Sequence, residues 1–190
     1  MARHTRPRSY LFAITGASGA GKTTLCHATT AALKKIGINA GMVHEAARDS
    51  QYVHAGDRSL AMHVEVLGLH ISNEMRARRM HRVVVCDRSV VDFLTYAELR
   101  FGAPLKGADA NLFALLKSAA DNYAILYDHI FVPAPYDVVD RPHDVDPLEM
   151  HRSTLDQLQS RGLPYTVLDK EDRIKIVLAQ IGQTISPGSA

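Results

Sequence analysis

The sequence predicts an α/β fold in three layers, a five-stranded parallel sheet with helices on both faces. Three observations predict it. Strand-like and helix-like segments alternate along the 190 residues, the order that builds a parallel sheet. The clearest strand, Arg82-Val83-Val84-Val85-Cys86-Asp87, is continuously apolar rather than alternating, as a strand covered on both faces must be. A glycine-rich turn, Gly16 to Gly21, joins the first strand-like run to the first helix-like one.

Taken in order, Tyr10 to Thr15 reads as the first strand and Thr24 to Lys35 as a helix. Asn39 to His44, entered through Gly37, is a second strand. Ser59 to His81 is a long helix, with Leu60, Val64, Leu67, Ile71 and Met75 recurring at spacings of three and four. After the valine strand, helices are expected over Val90 to Arg100 and Ala110 to Asn122. Asp128 to Val132 is a fourth strand, stopped by Pro133 and Pro135. Pro147 opens a helix through Ser160, in the first-turn position that suits proline. Tyr165 to Leu168 is the fifth strand, and Glu171 to Ile185 closes the domain. Residues 1–8 read as a flexible basic arm, 9–185 as a single domain and 186–190 as a disordered tail.

Composition narrows the function. With 46% hydrophobic residues the chain can fill one core, and a net charge of +2 is too small to demand a nucleic-acid partner. No apolar run approaches the roughly 20 residues of a membrane span, so no membrane role is expected. Cys26 and Cys86 both fall in buried elements, which suits a reducing cytoplasm better than a disulfide or a metal site. The ten histidines form no HExxH and no zinc spacing. His63 and His70, seven apart on one helix, read as structural or surface residues. Arg76, Arg78, Arg79 and Arg82 crowd a helix end, where cations favour the macrodipole. Asp169-Lys170-Glu171-Asp172 lacks the Asn or Thr start of a guanine-specificity motif, and no D-x-x-G occurs, so a GTPase switch is not expected.

Gly16-Ala17-Ser18-Gly19-Ala20-Gly21-Lys22-Thr23 fits G-x-x-x-x-G-K-[ST], with strand and helix on the correct sides. Backbone N–H groups of such a loop wrap a phosphate chain, and the helix behind it points its partly positive end at the same anion. Gly16, Ser18, Gly19, Ala20, Gly21, Lys22, Thr23 and Thr24 are therefore the candidate nucleotide-binding residues. Lys22 supplies a cation for the β- and γ-phosphates; the Thr23 hydroxyl can hold Mg²⁺. Ligands of open parallel sheets bind at the carboxyl ends of the strands. That rule adds Asp87, set as a Walker B carboxylate opposite Thr23, and Arg88 beside it. It also adds Glu45, which lies where an acceptor hydroxyl would sit and could take or orient its proton, with Arg48 three residues on. Asp140-Arg141-Pro142-His143-Asp144-Val145-Asp146 reads as a cover that brings an arginine, either Arg141 or Arg152 on the following helix, onto the transferring phosphoryl group. Tyr52, Phe93, Tyr96 and Phe101 are candidates to stack on a base, in a pocket between the long helix and the 93–113 segment.

On these residues the chain resembles the P-loop kinases grouped around the ribosylnicotinamide kinase domain, and a related AAA-type ATP-binding family of bacterial and phage proteins. The resemblance spans roughly Tyr10 to Ile181. Asp87-Arg88-Ser89 also resembles the DR motif of deoxynucleoside and thymidylate kinases. The resemblance implies a P-loop NTPase sheet in the order 2-3-1-4-5, Mg²⁺-ATP as donor, Glu45 as base and Arg88 as acceptor or phosphate ligand. Two departures stand out: Asp87-Arg88-Ser89 where ribosylnicotinamide kinases carry a plain Asp-Thr type sequence, and no glycine in Asp140-Arg141-Pro142. The expected function is an ATP-dependent kinase acting on a small nucleoside-like or nucleotide acceptor. The alternatives are a kinase acting on a hydroxyl of DNA, motivated by the basic arm, and an ATP-dependent switch with no small acceptor. The sequence leaves the oligomeric state open, a homodimer included.

Overall fold

The computed structural model describes residues 8–102, 104–135 and 145–186. Five parallel strands, β1 (Tyr10–Ile14), β2 (Ala40–Val43), β3 (Val83–Asp87), β4 (His129–Pro133) and β5 (Tyr165–Leu168), form one sheet in the order β2-β3-β1-β4-β5. Helices cover both faces: α1 (Lys22–Lys35) and α7 (Arg173–Ile185) on one side, α3 (Leu60–Met80), α4 (Val90–Phe101), α5 (Gly107–Ala124) and α6 (Pro147–Ser160) on the other. A short helix, α2 (Gln51–His54), follows a 3-10 turn over Ala46–Asp49. The expected fold is the observed one.

The period of two along a strand divides the core. Leu11 and Ala13 of β1 pack with Val84 and Cys86 against the α3–α6 layer, while Phe12 and Ile14 pack with Val83 and Val85 against α1 and α7. Every residue of β3 is buried. In α7, Val177, Ile181 and Ile185 recur every four residues as the buried stripe. No helix among the described residues is long and apolar enough to cross a membrane.

Several local expectations are corrected. Pro133 ends β4 as a strand residue and pairs with Leu168 instead of lying beyond the strand. The amides of Ile130 and Ala134 donate toward β5, so the donor that Pro133 lacks faces the β1 side, where β1 has already ended at Ile14. The buried face of α3 is also displaced from the predicted one. Met75 is 58% exposed, whereas Met62, His63, Val66, His70 and Glu74 face inward. Polar side chains thus occupy core positions that an apolar periodicity cannot register. Glu74 Oε1 accepts from the Tyr127 hydroxyl at 2.9 Å, and His70 Nε2 also lies 2.9 Å from that oxygen. At the edges of the domain, Arg8 is an anchored residue rather than part of a loose arm. It pairs with Asp128 at 2.5 Å and lies over the Tyr10 ring. Ser186 likewise closes α7, its hydroxyl donating to the Gly182 carbonyl at 2.7 Å. The remaining residues of the predicted arm and tail fall outside the described residues. Cys26 and Cys86 are free and buried.

Candidate functional site

Sheet register builds the site. Ile14 pairs with Asp87 and Val43 with Cys86, so β1, β2 and β3 end level. The glycine loop, Glu45 and Asp87-Arg88 emerge side by side at that edge. The loop needs its glycines. Gly16 has φ +113° with Val132 packed where a Cβ would point, and Gly21 has φ +81° at the N-cap of α1.

Lys22, Thr23 and Asp87 converge at the loop. The Thr23 hydroxyl donates to Asp87 Oδ2 at 2.6 Å. Two hard oxygen donors at that separation suit Mg²⁺, which takes one or two protein ligands and completes its shell with phosphate and water. Among the described residues no cluster of three or more His, Cys, Asp or Glu could hold a metal unaided. Lys22 is buried and its ammonium donates to the Ala17 carbonyl at 2.6 Å. Burial brings its pKa down from 10.5 to about 8; Arg88 adds to the fall, while Asp92, Asp87 and Glu45 oppose it. Gly16, Ala20 and Lys22 are buried, and Thr24 is exposed on the first turn of α1.

Two residues that sequence reasoning missed hold this loop. Asp92 is fully buried. Its carboxylate accepts from the Gly16 amide at 2.9 Å, from the Ser89 amide at 3.0 Å and from the Thr15 hydroxyl. It is the N3 member of the capping box that opens α4, so Ser89 and Asp92 cap that helix and Asp87 remains on Thr23. The S-x-x-D spacing from Ser89 to Asp92 was the available signal. Arg173, at the start of α7, donates to the Ala20, Ala134 and Asp169 carbonyls at 2.8, 2.7 and 2.6 Å. It ties the loop to the ends of β4 and β5, and nothing local in the sequence announces it.

Glu45 and Arg88 form a second constellation. Arg88 has φ +89°, a conformation rare for a side chain of this size. Its amide is held by the Ile14 carbonyl at 3.0 Å. Its guanidinium reaches Glu45 at 2.5 Å and lies over the Tyr96 ring, 5.4 Å from the centroid. One buried nitrogen, Nη1, has no hydrogen-bond partner among the described residues. Burial pulls the Glu45 carboxyl up, but Arg88, by charge and by hydrogen bond, more than reverses this and holds it below its ordinary value. Arg48 sits 3.5 Å from Glu45 on the 3-10 turn, largely exposed. Glu45 and Arg88 open onto a cavity of about 160 Å³. Met62 and Val66 of α3 and Phe93 and Tyr96 of α4 form its walls, as the predicted pocket between these segments requires. Phe101 instead packs edge-on to His63, and Tyr52 is exposed on α2. The two late-loop arginines differ. Arg141 lies outside the described residues, and Arg152 is exposed on α6, with no hydrogen bond or ion pair among the described residues.

Fold and glycine loop together define the P-loop class. Within it, the chain belongs to the AAA domain family, whose sequence model matches residues 11–173. Solved structures agree in fold. NadR protein, in one crystal structure with NAD and AMP-PNP and in another with NR, superposes with a TM-score of 0.74 at 19% identity. The match covers 93% of this chain and 49% and 50% of those chains; this chain spans about half the length of NadR. Thymidylate kinase from Ehrlichia chaffeensis superposes with a TM-score of 0.61 at 19% identity, covering 93% of this chain and 98% of that one. No curated protein matches.

Proposed function

We propose that the protein is an ATP-dependent phosphotransferase that moves the γ-phosphoryl group to a small nucleoside-like or nucleotide acceptor, in a cytoplasmic setting. The observation that carries this reading is the continuity of two half-sites. A phosphate loop with Lys22 and the Thr23–Asp87 pair lies directly beside Glu45 and Arg88, which open onto an aromatic-walled cavity. A switch ATPase needs the first half and has no use for the second.

In this reading the amides of Gly16 to Thr23 and the Lys22 ammonium hold the β- and γ-phosphates. Thr23 and Asp87 hold Mg²⁺, which when bound neutralises charge on the β- and γ-oxygens. Glu45 accepts the hydrogen bond of the attacking hydroxyl and orients it. Its lowered pKa makes it a weak base that is always ionised near neutrality, which suffices for a loose transition state that asks little of the base. Arg88 fixes Glu45 and keeps Nη1 for an oxygen of the donor or acceptor. Arg141 or Arg152 remains the proposed source of a covering guanidinium.

The test is a panel of nucleosides, nucleotides and oligonucleotides with γ-labelled ATP and magnesium, read by product mass. A phosphorylated small acceptor, lost on chelation of magnesium, is expected. Label released only to water, or transferred only to an oligonucleotide, contradicts the proposal.

A further inference from the structure

The cavity beside Glu45 and Arg88 holds a further buried polar atom. His63, in the first turn of α3, lines the same cavity. It is 7% exposed, and its Nε2 is buried with no hydrogen-bond partner among the described residues. The ring is held in place: Phe101 braces it edge-on, 5.7 Å between centroids. Burial first, then Arg100 and Arg58, lower its pKa to about 4, so the imidazole is neutral near pH 7. A neutral imidazole carries one N–H donor and one acceptor nitrogen. Whichever of the two Nε2 is, it lacks its complement.

The surroundings give that complement a size. The Arg88 guanidinium lies at the Tyr96 ring, and the His63 imidazole lies at the Phe101 ring. Both aromatic residues belong to α4, and the rise of the helix between them is roughly 7.5 Å. One heterocycle with an exocyclic group spans such a gap. The wall between the two stations is apolar, with Met62 and Val66 from α3 and Phe93 from α4.

We propose that His63 is the residue that reads the acceptor's ring: Nε2 pairs with an uncharged hydrogen-bonding edge of a heterocycle seated against Phe93 and Tyr96, while a sugar hydroxyl faces Glu45. The favoured substrate class is a nucleoside whose base carries an amide-type edge, a ring lactam or a carboxamide. Such an edge sets a donor beside an acceptor, so it complements Nε2 in either tautomer. This rests on the kinase reading for which end reacts. The buried, unpartnered Nε2 in an otherwise apolar wall carries the choice of edge.

The probes form two pairs matched in charge: uracil riboside against phenyl riboside, and pyridine-carboxamide riboside against plain pyridine riboside. Binding is measured by calorimetry with Mg²⁺ and AMP-PNP present, and transfer from Mg²⁺-ATP is followed in parallel. In at least one pair the polar member is expected to bind about tenfold tighter, the size of one hydrogen bond. His63→Leu should bring that ratio to unity by weakening the polar member alone, with the loss in transfer falling on KM. His63→Gln keeps a hydrogen-bonding group and should retain part of the ratio; it also carries the test if the leucine variant fails to fold. Equal binding within both pairs, a ratio that survives His63→Leu, or a loss shared equally by both members overturns the role of His63 while leaving the kinase intact. A His63-dependent ratio without transfer upholds the assignment and defeats the kinase reading. Binding of none of the probes overturns the proposal outright.

Discussion

The two halves of the site are held in opposite ways. Around the phosphate loop the supporting groups are matched: Asp92 takes two amides and a hydroxyl, and Arg173 reaches three carbonyls. Across the crevice, Arg88 Nη1 and His63 Nε2 are buried with no hydrogen-bond partner among the described residues, and Arg88 holds a strained backbone angle. A buried polar atom without a partner costs about 1–3 kcal/mol, so a structure keeps one where a ligand completes it or where function requires strain. In the proposed reading the donor half is prebuilt and the acceptor half is completed by its substrate.

Substitutions can break this contrast, beginning with the largest effect. Lys22→Met should lower transfer by about a thousandfold, as loss of a main transition-state charge contact does. It should also raise the melting temperature of the nucleotide-free protein, because a buried cation is removed. Equal melting temperatures would show that Lys22 is not strained when the site is empty. Glu45→Gln comes next, with transfer falling about a hundredfold while ATP affinity, by calorimetry, stays nearly intact. In the wild type the acid limb of kcat/KM should lie below 4.5, the ordinary value for the group. A limb above it would assign the titration elsewhere. Asp92→Ala strands the Gly16 and Ser89 amides and the Thr15 hydroxyl and should cost about 3 kcal/mol in denaturant unfolding. ATP affinity should fall with stability. A loss of affinity with no loss of stability would contradict a supporting role.

Lys22 also gives a pH signature. Its folded-state pKa is about 8 against 10.5 ordinarily. Between these values the unfolded chain binds more protons, so the empty protein should gain stability as pH rises through that window. ATP favours the charged lysine, so binding above pH 8 should take up protons and weaken as pH rises. Calorimetry in buffers of different ionisation heat measures the uptake. The smallest effect belongs outside the site. Arg8→Ala removes an ion pair whose arginine is largely exposed, and Asp128 keeps the Leu11 amide, so stability should change by about 1 kcal/mol or less, with transfer unaltered.

Legibility in the sequence followed the same division. The sheet and the donor half were readable because Gly16 to Thr23 is a local motif with its strand and helix beside it. The valine run likewise ends at Asp87 in one stretch. Glu45 and Arg88 could be nominated from strand ends, yet their 2.5 Å pairing and the left-handed backbone at Arg88 are products of register between β2 and β3. Asp92 was hidden because an acidic residue in the first turn of a helix reads as an ordinary cap. Arg173 and the Ala20 carbonyl are 153 positions apart, beyond any local pattern. His63 reads as a structural or surface residue because no ligand spacing includes it, and its burial beside the cavity is a product of how α3 packs.

The most direct test is a crystal structure with magnesium, AMP-PNP and the best acceptor from the panel. The account predicts the triphosphate on the amides of Gly16 to Thr23, the γ-phosphate between Lys22 and Arg88, and the acceptor hydroxyl on Glu45 with its ring against Phe93 and Tyr96. A triphosphate in that loop with the acceptor bound elsewhere, or Glu45 still closed on Arg88 with no hydroxyl near it, would contradict it.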